Sequence, residues 1–253
     1  MGKIIAVTNQ KGGVGKTTTG INLAFAIKSA GKRVLLCDMD PQGNGTSGSG
    51  VNKAKVSPTI YDVLIRGMAA KDAIIATKYY DVLPANKTLS GAGVELVNIE
   101  NREHVLYNAL EEVRADYDVI LIDCPPSLEM LTLNALCAAD SVLIPVQCEY
   151  FALEGISDLI ATIRMIKREL NPNIDIEGVL LTMFDSRTNF SAQVANEIKK
   201  HFSGKVYTVA IPRNVRISES PSHGMPVMAY DQGSRGSQAY SDFCTEFLKR
   251  IKV

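Results

Sequence analysis

Residues 10–18, Gln-Lys-Gly-Gly-Val-Gly-Lys-Thr-Thr, constrain this chain more than any other stretch. They lie between an apolar run, Ile4-Ile5-Ala6-Val7, and a helical pattern carried by Ile21, Leu23, Ala24 and Ile27. A strand that enters a helix through a glycine-rich turn leaves backbone N–H groups aimed inward at the positive end of the helix dipole. Such a turn suits phosphate: Gly12, Gly13, Val14, Gly15 and Thr18 supply the cradle, Lys16 reaches the β/γ-phosphates, and the Thr17 hydroxyl ligates Mg2+. The usual G-x-x-x-x-G-K-[ST] spacing calls for glycine at position 10, where this chain has Gln10 followed by a second lysine, Lys11. A cation there crowds Lys16 unless a polyanion sits between them. One solution is that Lys11 points away from its own loop and meets the nucleotide of a second subunit.

Beyond this loop, short apolar runs alternate with helical patterns. The expected strands are Lys3–Thr8, Arg33–Cys37, Tyr117–Asp123, Ser141–Val146, Glu177–Met183 and Lys205–Ile211, rich in Val, Ile and Leu on both faces. The expected helices are Lys16–Ala30, Glu103–Ala115, Leu128–Ala138, Leu153–Leu170, Phe190–Phe202 and Gln238–Lys252. Alternating βα units predict one α/β domain over 1–253: a mostly parallel twisted sheet, helices on both faces, ligands at the carboxyl ends of the strands. Residues 43–58, rich in Gly, Ser, Asn, Thr and Lys, read as a mobile loop.

Two acidic segments follow expected strands: Asp38-Met39-Asp40-Pro41-Gln42-Gly43-Asn44 and Asp123-Cys124-Pro125-Pro126-Ser127. A carboxylate at the end of an apolar strand beside a phosphate loop can hold Mg2+ directly or through its water shell, and Asp123 takes that role. Asp38 and Asp40 are taken to project to opposite sides of an extended chain, one toward the metal shell and one toward the γ-phosphate, where a carboxylate can orient the attacking water.

Composition narrows the rest. The chain has 253 residues, with 27 Lys/Arg balancing 27 Asp/Glu. No apolar run has membrane-spanning length and no N-terminal signal pattern is present. Five cysteines without C-x-x-C spacing read as reduced, mostly buried thiols. Three scattered histidines argue against a metal cluster or a His-based triad. The charge is uneven: from Arg187 onward ten Lys/Arg face five Asp/Glu, which suggests a one-sided surface for a polyanion.

The form K-G-G-x-G-K-[ST] resembles the deviant Walker A motif of the ParA/MinD class of ATPases. The D-x-D-P-Q-G-N and D-C-P-P-S stretches are similar to that class's two switch regions, and the Pro145–Gly155, Ile211–Arg216 and Ser218–Gly224 segments to the Soj-type ParA proteins. The resemblance implies an ATP-dependent, Mg2+-requiring ATPase that closes into a homodimer. Lys11 would cross the interface, with Lys16 and Asp40 catalytic and Asp38 beside the metal. Pro212 and Asn214 would contact adenine; from the residues alone, Pro-Arg-Asn is a plain turn.

It further implies nonspecific binding of duplex DNA by the basic C-terminal third, with Arg187, Arg213 and Arg216 as phosphate contacts, and a ParB-type partner. A cytoplasmic, nucleoid-associated protein without stable membrane association is expected. With the first strand starting at Lys3, no extra N-terminal helix-turn-helix is expected. A MinD-like membrane-surface ATPase is the alternative, resting on the tail Phe243–Val253 as an amphipathic helix. Docking of that helix on the sheet is the preferred reading. An iron–sulfur ATPase would need two cysteines per subunit in loop settings, and only Cys124 has one.

Overall fold

A computed structural model describes residues 2–149 and 152–253, and the side chains of all of these except 152–155. Tyr150 and Phe151 of the Pro145–Gly155 segment therefore lie outside the described residues. The strands are β1 (Lys3–Val7), β2 (Val34–Asp38), β3 (Ile75–Ala76), β4 (Asp81–Leu83), β5 (Val119–Asp123), β6 (Ser141–Gln147) and β7 (Asp175–Thr182). They form one sheet in the order β3-β4-β2-β5-β1-β6-β7. Every pairing is parallel except that of the two-residue edge strand β3 with β4. This is the expected mostly parallel α/β architecture.

Strand alternation explains how the core divides. In β2 and β5, Leu35, Cys37, Ile120 and Ile122 face one hydrophobic cluster. Val34, Leu36, Val119 and Leu121 face the other, with Ile21, Leu23, Ala24 and Ile27 of the helix Lys16–Ser29 and Phe243 and Phe247 of the C-terminal helix Arg235–Ile251. Continuing that alternation by one residue puts Asp38 and Asp123, paired in register, on the face covered by the helix Lys16–Ser29. Gly20 on that helix sits against this face, where a Cβ would lie 3.3 Å from Leu36 Cδ1 and 3.8 Å from the Asp123 Cβ.

Three expectations need correction. Lys205–Ile211 forms no continuous strand. It touches β7 through one isolated bridge, Val179 to Val206, and a second, Phe184 to Pro212, follows just past the ends of both segments. Between them, the Thr208 and Val209 amides donate to the Glu246 carboxylate at 3.0–3.2 Å, which takes the place of a sheet partner. Residues 43–58 are not simply a loop. Asn44–Gly48 is a short helix, fastened where the Thr46 amide and hydroxyl both donate to Asp38 at 2.7 and 2.8 Å. The Glu103–Ala115 helix is broken into pieces, helical over Val105–Glu111 with 3-10 turns at Arg102–His104 and Arg114–Asp116.

The C-terminal helix settles the ambiguity of its apolar stripe. Phe243 and Phe247 are fully buried, and Ile251 nearly so. A membrane helix would need those side chains free. No helix among the described residues is long and apolar enough to cross a membrane.

Candidate nucleotide site

The phosphate loop is shaped by a few polar anchors. Asn9, at the end of β1 and almost fully buried, donates from Nδ2 to the Pro145 carbonyl (2.8 Å) and accepts from the Lys11 amide (3.0 Å). Thr182, at the end of β7, donates to the Val14 carbonyl at 2.8 Å. Gly13 and Gly15 sit at φ +74° and +91°, a region open to glycine at little cost. The helix then begins at Lys16 with no side chain capping its first amides, so those N–H groups stay available to an anion.

Three of the expected site side chains converge inside this frame. Lys16 is buried, and its Nζ donates to the Lys11 carbonyl at 3.2 Å. Burial lowers its pKa, and the carboxylate of Asp123 works against that shift. Asp38 and Asp123 are both fully buried, yet unlike in their surroundings. Asp38 accepts three hydrogen bonds, two from Thr46 and one from the Asp40 amide. Among the described residues neither buried oxygen of Asp123 completes one, Thr17 standing near enough to act on its charge but outside hydrogen-bond geometry. Burial pushes the Asp38 carboxyl up to about 6 despite its donors. Burial and then the Asp38 charge push Asp123 well up; Thr17 and Lys16 are what favour its ionised form.

A buried carboxylate without a partner is costly, and its presence calls for a ligand. The space is kept open at Gly45, where a Cβ would come within 3.0 Å of Asp38 Oδ2 and 3.3 Å of Asp123 Oδ2. Oxygen donors, few in number and backed by a phosphate loop, fit magnesium, which is held by one or two carboxylates plus phosphates.

Asp40 does not project to the opposite side from Asp38: residues two apart along an extended chain share a face, and the Asp40 charge acts on Asp38. The chain turns only after it, with the Gly43 amide donating to the Asp40 carbonyl at 2.8 Å. Asp40 then lines the same cavity as Gly12, Gly13, Lys16, Thr17 and Pro126, a space of about 370 Å3. A second cavity of about 150 Å3 contains Pro212, Arg213 and Asn214 together with Thr182, Ile217 and Tyr240. Gly15, Thr18 and Met183 line both, so the two spaces adjoin. Met183 holds φ +50°, unusual for a non-glycine residue, at that junction. Asn214 caps the short helix Val215–Glu219, its Oδ1 accepting from the Arg216 amide at 2.9 Å, which leaves its amide nitrogen for another acceptor.

Lys11 does lean away from its own loop, onto a partner that sequence reasoning missed: Glu149, just past β6, at 3.0 Å. Gln147 also donates to Glu149. Of the candidate polyanion contacts, Arg213 lines the second cavity, whereas Arg187 and Arg216 line neither. Arg187 pairs with Asp185 at 2.8 Å. Arg187 and Arg213 both act on Asp185, holding its carboxyl down at about 2. Arg216 pairs with Glu219 and Asp231. All five cysteines are buried free thiols, and burial raises the Cys124 thiol strongly, so it is a poor thiolate ligand.

The burial of Asp38 and Asp123, with the Asp38 charge adding to it at Asp123, has a measurable consequence in the ligand-free protein. Both groups bind protons more readily folded than unfolded, so free-protein stability falls as pH rises from about 4, the unfolded value, toward about 6 and beyond. Asp123→Asn is expected to flatten that slope and raise the ligand-free melting temperature at pH 7 by a few degrees, ~2–4 °C per kcal/mol regained. Thermal melts across pH check it; an unchanged or lowered melting temperature with an unchanged slope refutes it.

The sheet order, the loop and the paired carboxylates define a P-loop nucleoside-triphosphatase fold. Residues 2–176 match a family described as an AAA domain. The chain is 57% identical to the sporulation initiation inhibitor protein Soj of Bacillus subtilis, over 97% of this chain and 98% of that one. It is 53% identical to the chromosome partitioning protein ParA of Myxococcus xanthus, over 99% and 89%. Among solved structures, cobyrinic acid a,c-diamide synthase from Mycobacterium smegmatis, with bound ADP and magnesium, superposes with a TM-score of 0.88 at 36% identity, covering 100% of this chain and 96% of that one. The chain belongs to the Soj/ParA family of chromosome-partitioning proteins.

Proposed function

We propose that this chain is an ATP-dependent, Mg2+-requiring partition ATPase that dimerises around ATP. As the dimer it binds duplex DNA without sequence preference, and it segregates DNA with a ParB-type partner at the nucleoid. The observation that carries the reading is the buried, unpartnered Asp123 carboxylate facing Lys16 and Thr17. The ADP and magnesium held by the Mycobacterium smegmatis structure support the choice of ligand.

In this reading the loop amides and Lys16 bind the triphosphate, and the base enters the cavity beside Pro212 and Asn214. Thr17 and Asp123 would hold magnesium, with Asp38 beside them. That ion, when bound, draws charge from the phosphates. Asp40 orients a water on the γ-phosphorus. The new bond is water oxygen to phosphorus, the broken one joins phosphorus to the ADP oxygen, and Asp40 accepts the proton. Lys11 leaves Glu149 and reaches the partner's phosphates, so the ion pair with Glu149 is the form of the monomer.

Two copies on one surface double the basic patch. Mobility shifts with ATP should show binding to unrelated duplexes that weakens steeply with salt, with a log–log slope near −0.9 per phosphate neutralised. Arg213 is exposed and makes none of the ion pairs found among the described residues, whereas Arg187 and Arg216 must first leave carboxylates. Arg213→Ala is therefore expected to cost the most and to reduce the slope by about 1.8, two contacts per dimer. Absence of binding at low salt with ATP would remove the DNA claim.

A further inference from the structure

The turn that carries Asp40 is gripped from outside by a residue with no assigned role. Lys53 Nζ donates to the Gln42 carbonyl at 2.7 Å and to Asn44 Oδ1 at 3.1 Å. The same peptide unit, Gln42 to Gly43, donates its N–H to the Asp40 carbonyl at 2.8 Å. Its two ends are thus held from opposite sides, by Asp40 within the turn and by Lys53 across it. One residue earlier, the Gln42 amide donates to Asp40 Oδ1 at 2.9 Å, which sets the orientation of the carboxylate itself. The lysine stem packs over Gly43, where a Cβ would meet Lys53 Cδ at 3.2 Å and the Ala85 carbonyl at 2.7 Å. Gly43 also holds φ +59°, so glycine is needed there twice over.

Lys53 is unusual among the lysines of this chain in what it bonds. It makes none of the ion pairs found among the described residues, and its ammonium is spent on two neutral acceptors of one turn. A charge-assisted bond to a carbonyl is stronger than a neutral one. Deleted, the ammonium would not leave a sealed void. Lys53 and Gln42 line an open cavity of about 470 Å3, with Pro41, Asn86, Lys87 and Thr88, and water can reach the freed carbonyl there.

We propose that Lys53 is a positioning residue for hydrolysis. It pins the Gln42–Gly43 peptide, and through it the Asp40 carboxylate, in the geometry that aims a water at the γ-phosphate. Without it the turn still forms around Gly43, but the peptide plane swings and the carboxylate loses its aim. This rests on the ATPase reading above.

The test compares wild type, Lys53→Met, Lys53→Arg and Asp40→Ala. Met keeps the stem over Gly43 and removes only the charged donor; Arg restores a donor. Steady-state ATPase, ATP-analogue affinity by fluorescence, thermal melts, and amide hydrogen exchange are measured for each. Lys53→Met is expected to lower kcat about tenfold, the scale of a small misplacement of a catalytic group, with KM and nucleotide affinity unchanged. Exchange at the Gln42 and Gly43 amides should rise, the melting temperature should stay near wild type, and Lys53→Arg should recover most of kcat. A kcat at wild-type level in Lys53→Met while Asp40→Ala is inactive overturns the inference and leaves the ATPase reading standing. So does a loss of kcat matched by lost affinity or lost stability that Lys53→Arg does not rescue. Wild-type hydrolysis by Asp40→Ala overturns the reading of the site itself.

Discussion

Asp40→Ala is expected to bind ATP, form a lasting dimer and stop turning it over. Asp40 is nearly buried, lines the space above Lys16 and Thr17, and has its carboxylate set by the Gln42 amide. Removing a positioned base typically costs about 10²–10⁴ in rate. Binding should survive, for an electrostatic reason. The Asp40 charge acts on both Asp38 and Asp123, raising their pKa values, and it faces the site a triphosphate would occupy. Alanine removes a like charge from the neighbourhood of four more negative charges, so nucleotide affinity should hold or rise. Size-exclusion chromatography with ATP should then show a dimer that wild type loses as it hydrolyses, and the dimer should stay on duplex DNA. Normal turnover by the variant would transfer the role to another group, and a monomer with ATP would sink the dimer switch.

The parts of this site that were legible in the sequence are those whose geometry is local. Lys16 and Thr17 follow from the strand, glycines and helix around them, and Asp38 and Asp123 from their places at the ends of apolar strands. What escaped depends on contacts distant in the chain. Asn9 is a loop anchor only because Pro145 arrives beside it, and Lys11 meets Glu149 across 138 residues. Glycine and serine made residues 43–58 read as a loop, while Thr46 binds Asp38 and accepts the Ala85 amide, pinning the segment to the end of β2. Lys205–Ile211 has the apolar content of a strand, but a carboxylate on a helix some 40 residues later takes its central amides. The strands β3 and β4, two and three residues long, are too short for alternation to register. The side of Asp40 is missed when residues two apart are given opposite faces: along an extended chain they share one, and Asp40 lines the cavity above Lys16 and Thr17.

Lys16→Ala should abolish nucleotide binding and everything downstream of it. Its ammonium is held in a buried position by the Lys11 carbonyl, so it is pre-set over the loop and pays little to meet a phosphate. It is also, with Thr17, what favours the charged form of Asp123. Alanine removes the phosphate's main counter-charge and strengthens the tendency of Asp123 to take a proton, which weakens a metal site as well. Loss of one such preorganised group in a water-poor site costs about 10²–10³ where charge must be held. Wild type should melt higher with saturating Mg-ATP, by the linkage that adds about 2.7 kcal/mol at a hundredfold excess over Kd. The variant should show no such rise, no ATP-dependent dimer and no ATP-dependent DNA binding, while its ligand-free fold persists because its helix keeps Ile21, Leu23 and Ile27 in the core. The double variant Lys16→Ala, Asp40→Ala separates the two roles. If Asp40 acts only after nucleotide is bound, the pair should behave as Lys16→Ala alone, and an ATP-dependent dimer in the pair would show that something other than Lys16 holds the triphosphate.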